Sequence, residues 1–169
     1  MLKVLFVCHG NICRSPMAEF VFRDMLKNEG LGNVCMVASA ATSFEEIGNS
    51  VHHGTRRKLE SVGISVAGKV AVHMEKSDYR EYDFIIGMDN ANIRNILKIT
   101  GGDPDCKVSK LLAFADDDGD IADPWYTGNF DITYNDVVRG CKGLLAQIKK
   151  ICLLTDCEGI TIVSTKYTK

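Results

Sequence analysis

The residues best suited to chemistry stand together near the start of the chain, in the stretch VCHGNICRSP at 7–16. The thiol of Cys8 ends an apolar run, and the guanidinium of Arg14 follows six residues later. Between them, Gly10 and Asn11 are residue types that tolerate a positive φ, which lets successive backbone N–H groups converge on one point. A thiolate among such donors is a nucleophile, and a guanidinium binds two oxygens of a phosphoryl group. The stretch therefore predicts nucleophilic phosphoryl transfer.

The same stretch is expected to lead into a helix, with Ser15 as the N-cap and Pro16 as the first helical residue. The positive end of that helix would favour the thiolate form of Cys8 and an anionic substrate beside it. Two alternatives are a buried structural cysteine and a phosphate-binding turn that does no chemistry. The apolar strand expected before the stretch and the amphipathic helix expected after it favour the catalytic interpretation.

The leaving oxygen of such a reaction needs a proton, and five aspartates between residues 115 and 129 are candidates for the acid. Asp123 differs from the others because Pro124, Trp125 and Tyr126 follow it. The proline restricts the backbone, and the rings could line a substrate while shielding the carboxyl from water, so that it stays protonated. We therefore predict Asp123 as the general acid. The alternative is an Asp-Pro turn whose aromatic side chains pack on the core.

The elements that must position these groups alternate along the chain. Apolar, β-branched runs predict strands over 4–7, 34–41, 82–89 and, more weakly, 107–114. Helical patterns predict helices from the first loop to Gly30, within 55–63, after residue 89 and over 131–153. Glu19 and Arg23 are expected as an ion pair on the polar face of the first helix. Strands that alternate with helices predict a parallel sheet in a single three-layer α/β domain.

Composition and charge limit the classes of function. The 169 residues are 46% hydrophobic, and 20 basic against 22 acidic residues give a formal net charge of −2. This balance favours neither a nucleic-acid partner nor a membrane surface, and no apolar run is long enough to span a bilayer. Seven scattered cysteines without a C-x-x-C pair favour a reducing compartment and no metal. We expect a cytoplasmic protein without a cofactor.

The sequence resembles the low-molecular-weight protein tyrosine phosphatases. The resemblance starts in VLFVCHGNICRSPMAE and continues through SAATSFEEIGN at 39–49, MDNAN at 88–92 and DPWYTG at 123–128. It implies a four-stranded parallel sheet flanked by helices on both faces. It also implies a phosphatase domain over residues 1–154, followed by a C-terminal tail of unknown role over 155–169.

The resemblance implies a mechanism without a metal. Cys8 attacks phosphorus to form a cysteinyl-phosphate, while Arg14 and the loop amides hold the oxygens. Asp123 protonates the leaving oxygen and then acts as the base for water. The substrate would be a phosphotyrosine protein or a small aryl phosphate, with inorganic phosphate as product and no nucleic-acid or membrane partner. The residues expected to contact the substrate are His9, Gly10, Asn11, Ile12, Cys13, Ser15, Trp125 and Tyr126.

The chain departs from the family pattern beneath the loop. Ala38 stands where the family commonly has an aspartate, and Gly68 and Lys69 occupy a region where many members carry a histidine that joins a polar network. Ser39 and Asp89 are the remaining candidates for that network. Ser15 is expected to donate to the thiolate of the nucleophile, a role compatible with capping the helix.

The rim of the expected pocket also departs from the pattern. Phe44-Glu45 stands where many members carry an aromatic wall, which predicts a different specificity. His9 lies on the rim by resemblance, although a solvated surface histidine is an equally good interpretation. His52-His53 is interpreted as the surface start of a helix rather than as a metal pair. Cys13 is expected to capture oxidised Cys8 in a disulfide, and the alternative is that it only packs as a small apolar residue.

Three other functions compete with a tyrosine phosphatase. An arsenate reductase needs further cysteines for a disulfide relay, but residues 74–96 contain none and Cys106 is isolated. A protein-arginine phosphatase has a threonine where Ile12 stands, and isoleucine favours an aryl phosphate. A phosphate-binding or phosphocarrier module would have no use for the acid at Asp123. The tyrosine phosphatase is therefore the preferred interpretation.

Overall fold

The sheet that carries the site has four parallel strands in the order β2-β1-β3-β4. A computed structural model describes the backbone of residues 1–158 and the side chains of residues 1–154. The strands are β1 (Leu2–Cys8), β2 (Cys35–Ala41), β3 (Phe84–Gly87) and β4 (Val108–Lys110). The chain leaves β1 toward one edge and later returns to its other side, so the carboxyl end of β1 lies where the strand order reverses. Ligands bind at such points in open α/β sheets.

Helices cover both faces of the sheet, as predicted for a three-layer domain. They are α1 (Arg14–Asn28), α2 (His53–Ser61), α3 (Asp78–Glu81), α4 (Asn90–Thr100), α5 (Pro124–Thr127) and α6 (Phe130–Glu158). Alternate residues of β1 point to opposite faces. Val4 and Phe6 join the larger apolar cluster, which includes side chains of α1 and α6. Leu5 and Val7 join a smaller cluster with Ile96 of α4.

The predicted fourth strand is shorter than expected. Only Val108–Lys110 is a strand, and a 3₁₀-helix follows over Leu111–Ala115. Here the chain turns to pack on α6, where two glycines leave room for its backbone. A Cβ at Gly140 would lie 2.8 Å from the carbonyl oxygen of Leu111, and one at Gly143 would overlap the carbonyl oxygen of Phe114. This close contact with α6 ends the strand.

The first helix begins earlier than predicted, so the assignment of Ser15 as N-cap and Pro16 as first helical residue is wrong. α1 starts at Arg14, and Cys13 occupies the capping position without a side-chain cap. The hydroxyl of Ser15 instead contacts Cys8 and Asn11 inside the loop, so it is not available as a cap. Pro16 is still in the first turn, where its missing N–H costs no helical hydrogen bond.

The last helix continues into the predicted tail. α6 runs over Phe130–Glu158 and therefore extends beyond the predicted 131–153. The remainder of the tail, for which a short strand and a loose segment were the alternatives, lies outside the described residues. In the part of the chain that is described, no helix combines the length and the apolar character needed to cross a membrane.

Candidate active site

The loop after β1 wraps around the side chain of Cys8. This thiol is 3% exposed, and its Sγ lies 3.1 Å from Ser15 Oγ. Asn11 takes the left-handed φ of 56° that turns the loop. Gly10 does not have a positive φ. It leaves room for the side chain of Glu46, because a Cβ at Gly10 would lie 3.1 Å from Cγ of Glu46. The thiol thus lies buried at the base of a tightly turned loop, as expected for an anion cradle.

Arg14 joins the loop to the rest of the site. Its guanidinium is almost fully buried and binds Asp89 and Asp123 at 2.5 Å each, with a third hydrogen bond of 3.2 Å to the carbonyl of Ile121. Burial acts to lower the pKa of Arg14, but the negative charges of Cys8, Asp123 and Asp89 outweigh it and raise this pKa. Its buried Nε has no hydrogen-bond partner among the described residues. A phosphoryl oxygen is the kind of acceptor that would satisfy this donor.

Asp123 contacts the loop although it lies 109 residues after Arg14 in the sequence. Its Oδ2 binds Arg14, and its Oδ1 accepts from the backbone N–H of Trp125 at 3.1 Å, which caps α5. Trp125 and Tyr126 are 56% and 84% exposed. The alternative in which both rings pack on the core is therefore wrong, and both rings are largely exposed beside the candidate acid.

A polar network lies beneath the loop. Asn11 Nδ2 donates to Ser15 Oγ and to Ser39 Oγ, at 2.8 Å each. Ser39 was predicted as a member and is one. Asp89 was the other candidate, but it pairs with Arg14 and caps α4 through the N–H of Asn92 at 2.6 Å.

Sequence reasoning missed two charged members of that network. Glu19 was expected on the polar face of α1 but is only 2% exposed and accepts from Ser39 Oγ at 2.5 Å. Lys69 reaches the same carboxylate at 3.2 Å. A signal for Glu19 exists in the sequence, because it lies one helical turn after Ser15 and thus on the face that follows the loop. For Lys69 the signal is its place in the region where the resemblance puts a histidine of this network, although the lysine itself was not predicted to replace it.

The rim of the site carries exposed aromatic and charged side chains. His9 is exposed and binds the carboxylate of Glu45 at 2.9 Å. Phe44, 73% exposed, stacks on the ring of His73 with centroids 3.7 Å apart. Phe44-Glu45 thus replaces the aromatic wall with one ring and one ion pair.

The opposite side of the mouth is formed by α2 and α5. His52 is the N-cap of α2 and accepts from the N–H of Gly54 at 3.1 Å, which confirms the interpretation as a helix start. Burial, then the neighbouring charges of His53 and Arg57, lower the pKa of His52. Its ring lies 5.6 Å from that of Trp125. Among the described residues no group of His, Cys, Asp or Glu is arranged to hold a metal ion.

Ile12 and Cys13 turn away from the rim and pack under the loop with Ala71 and Phe130. They are 7% and 4% exposed. Burial, followed by the nearby charges of Cys8 and Asp123, raises the pKa of Cys13 to about 12. The predicted site residues therefore form an inner group on the loop, joined through Arg14 to Asp123, and an outer group of His9, Trp125 and Tyr126.

A buried thiol at the end of a central parallel strand, enclosed with an arginine in a loop that enters a helix, is an arrangement suited to binding a phosphoryl group. The family model described as low molecular weight phosphotyrosine protein phosphatase matches residues 3–152. The chain belongs to this family, which is a family of hydrolases.

Similar proteins agree with that assignment. The low molecular weight protein-tyrosine-phosphatase YfkJ of Bacillus subtilis is 41% identical over 152 residues, 89% of this chain and 97% of YfkJ. PtpA of Staphylococcus aureus, also named a low molecular weight protein-tyrosine-phosphatase, is 37% identical over 153 residues, 89% of this chain and 96% of PtpA. The crystal structure of YfkJ superposes with a TM-score of 0.86, covering 89% of this chain and 96% of that one. The fold also matches the Drosophila arginine phosphatase DARP, at 26% identity, a TM-score of 0.80 and coverage of 88% and 98%.

Proposed function

We propose that the protein hydrolyses aryl phosphate monoesters, with phosphotyrosine in proteins as the main substrate and inorganic phosphate as product. The observation that carries the proposal is the position of Arg14. It lies buried between Asp123 and the loop around Cys8, with one N–H donor left without a partner among the described residues. Nucleophile, oxyanion-binding group and acid are thereby held together.

The reaction has two steps. The thiolate of Cys8 attacks phosphorus, and the P–O bond to the leaving group breaks as the P–S bond forms. Arg14 and the loop amides bind the equatorial oxygens. Asp123, which exchanges its bond to Arg14 for a proton as the substrate phosphate binds, gives that proton to the leaving oxygen. Asp123 then takes a proton from water, which attacks phosphorus and releases Cys8 and phosphate. The hydroxyl of Ser15 stabilises the thiolate by donating a hydrogen bond to it, in line with the 3.1 Å contact.

Aromatic residues at the mouth support an aryl phosphate. Trp125 and Tyr126 stand exposed next to the acid, and Phe44 stands exposed on the other side. Rings in these positions can contact the ring of phosphotyrosine as its phosphate enters the loop. His9, which is exposed and hydrogen-bonded to Glu45, adds a polar contact for residues that flank the phosphotyrosine. The free thiols of Cys8 and Cys13 in one loop suit a reducing, cytoplasmic setting.

The second candidate is a protein-arginine phosphatase, since DARP shares the fold. Ile12 opposes it. By the resemblance, the arginine-phosphatase branch carries a threonine here; isoleucine has no hydroxyl for a guanidinium, and its side chain packs under the loop instead. Comparing kcat/KM for phosphotyrosine and phosphoarginine in peptides of one sequence separates the two functions. We expect phosphotyrosine to be preferred, and equal values would contradict the assignment.

The mechanism itself is tested by Cys8→Ser. We expect turnover of p-nitrophenyl phosphate to be lost while binding of inorganic phosphate is kept, because the cradle consists of Arg14 and backbone amides. Cys106→Ser is the matched control, since Cys106 is an exposed thiol outside the site. Activity that survives in Cys8→Ser would rule out a cysteinyl-phosphate intermediate.

A further inference from the structure

A charged carboxylate is buried directly beneath the catalytic loop. The side chain of Glu19 is 3% exposed, and acidic side chains are seldom buried so fully without charged partners. Here the two oxygens have different partners. Oε1 binds Arg23 at 2.7 Å, whereas Oε2 accepts from Ser39 Oγ at 2.5 Å and binds Lys69 at 3.2 Å. Only Oε2 thus faces the loop.

Lys69 is the more enclosed of the two cations. Its side chain is 13% exposed, against 48% for Arg23. The turn before it contains Gly68 at a φ of +80°, and Lys69 also donates to the carbonyl oxygen of Ser39 at 3.0 Å. Lys69 therefore binds two groups at Ser39 in β2: the backbone carbonyl of Ser39 and the carboxylate that accepts the hydroxyl proton of Ser39. The other titratable group close to Glu19 is Tyr82, whose pKa is raised by burial first and by neighbouring acids, Glu19 among them.

In the hydrogen bonds that link the carboxylate of Glu19 to the nucleophile, donor and acceptor can be assigned from the chemistry of each group. A carboxylate accepts only, so Ser39 must give its single proton to Glu19. The amide nitrogen of Asn11 donates only, so Ser39 and Ser15 both accept from it, at 2.8 Å each. A thiolate has no proton to give, so Ser15 is the donor in the 3.1 Å contact with the thiolate of Cys8, in preference to a backbone carbonyl at 3.4 Å.

We propose that Lys69 is a positioning residue for the nucleophile. It balances the buried charge of Glu19 and so keeps every donor in the chain turned toward the thiolate. The path runs through Glu19, Ser39, Asn11 and Ser15 to Cys8. The catalytic consequence rests on the proposed phosphatase function, but the state of the thiol can be measured without turnover.

Lys69→Met tests the proposal because it removes the charge and keeps most of the apolar stem. The first readout is the pH at which alkylation of Cys8 by iodoacetamide reaches half its maximal rate, followed by mass spectrometry of the Cys8 peptide. We expect this pH to rise, because the proton of Ser15 is no longer directed to the thiolate. We also expect kcat for p-nitrophenyl phosphate to fall about tenfold, the size of one charge-assisted hydrogen bond.

Three further variants separate positioning from general stability. Lys69→Arg should restore the alkylation profile and most of kcat. Lys149→Met removes a surface lysine whose partner, Glu29, is remote from the site, and should change neither. Ser39→Ala cuts the path but leaves the pair of Lys69 and Glu19 intact, so it should raise the alkylation midpoint even if Lys69→Met does not fold.

The outcomes are distinguishable. A lower melting temperature in Lys69→Met with an unchanged alkylation profile would overturn the proposal and leave Lys69 a structural residue. An unchanged profile in Ser39→Ala would overturn it as well. If the wild type turned over no phosphate ester, the proposed function would fail, while the alkylation profiles would still decide the role of Lys69.

Discussion

The loop that carries Cys8 and the segment that carries Asp123 face each other across Arg14, yet the protein holds them differently. Asn11 and Ser15 in the loop are fully buried and bonded to β2 and to each other. Beside Asp123, α5 is a four-residue helix whose aromatic side chains stand in solvent. Groups that handle phosphate are thus held by many internal contacts, whereas groups that meet the rest of the substrate are held by few. Substitutions in the loop should therefore affect the chemical step, as should loss of the acid itself, whereas substitutions of the exposed rings Trp125 and Tyr126 should affect substrate preference.

The largest effect is expected at the contact between the two regions. Arg14→Lys replaces a planar fork by a point charge and removes the Nε donor. We expect kcat for p-nitrophenyl phosphate to fall about 100- to 1000-fold, as for the loss of an oxyanion-binding group. Arg139→Lys, at an exposed arginine paired with Asp117, is the control and should stay close to wild type. If Arg14→Lys kept most of its activity, the loop alone would bind the phosphate.

Asp123→Ala should divide substrates by their leaving groups. Poor leaving groups need the proton, so we expect kcat for phenyl phosphate to fall about 100-fold, and much less for an activated ester. The measurement is kcat across a series of aryl phosphates in wild type and variant. Asp120→Ala is the control, because Asp120 lies in the same loop as Asp123 but is bound to Lys110 of β4. The same leaving-group dependence in wild type and Asp123→Ala would give the role to another aspartate.

Reversible oxidation should distinguish the two cysteines of the loop, Cys8 and Cys13, from the other cysteines of the protein. Peroxide converts Cys8 to a sulfenic acid, and the thiol of Cys13 then forms the disulfide with release of water. We expect wild type to recover nearly all activity in dithiothreitol and Cys13→Ser to recover a small part. Burial raises the pKa of Cys13 to about 12, so disulfide formation should accelerate as pH rises. Equal recovery in both proteins, without a link between residues 8 and 13 in peptide maps, would show that Cys13 only packs.

The smallest effect is expected on the exposed rim. Tyr126→Ala should raise KM for a phosphotyrosine peptide about threefold to tenfold through the loss of a ring contact, with kcat unchanged. Ile132→Ala removes a nearby exposed apolar side chain and serves as the matched control. A fall in kcat without a change in KM would mean that Tyr126 acts on the acid instead of on the substrate.

The sequence predicts the parts of this site that depend on local order. The spacing of Cys8 and Arg14, the strand before them and the helix after them all follow from short-range patterns, and so does the three-layer fold. The capping role of Ser15 was wrong because a hydroxyl with several acceptors in reach is oriented by tertiary contacts. Glu19 was misplaced for the same reason: its partner Lys69 lies fifty residues away in sequence, and only the folded sheet brings the two together.

The position of Arg14 between two carboxylates also governs how the product leaves. Asp89 and Asp123 bind the two terminal nitrogens of this guanidinium at 2.5 Å, so an entering phosphate must exchange bonds with them there, and it gains a new bond only at the unpaired Nε. The net affinity for the free anion is then the difference between two sets of charge-assisted bonds, so it is smaller than an unpaired guanidinium would give. We therefore expect Asp89 and Asp123 to compete with inorganic phosphate for Arg14 and to weaken inhibition by accumulated product.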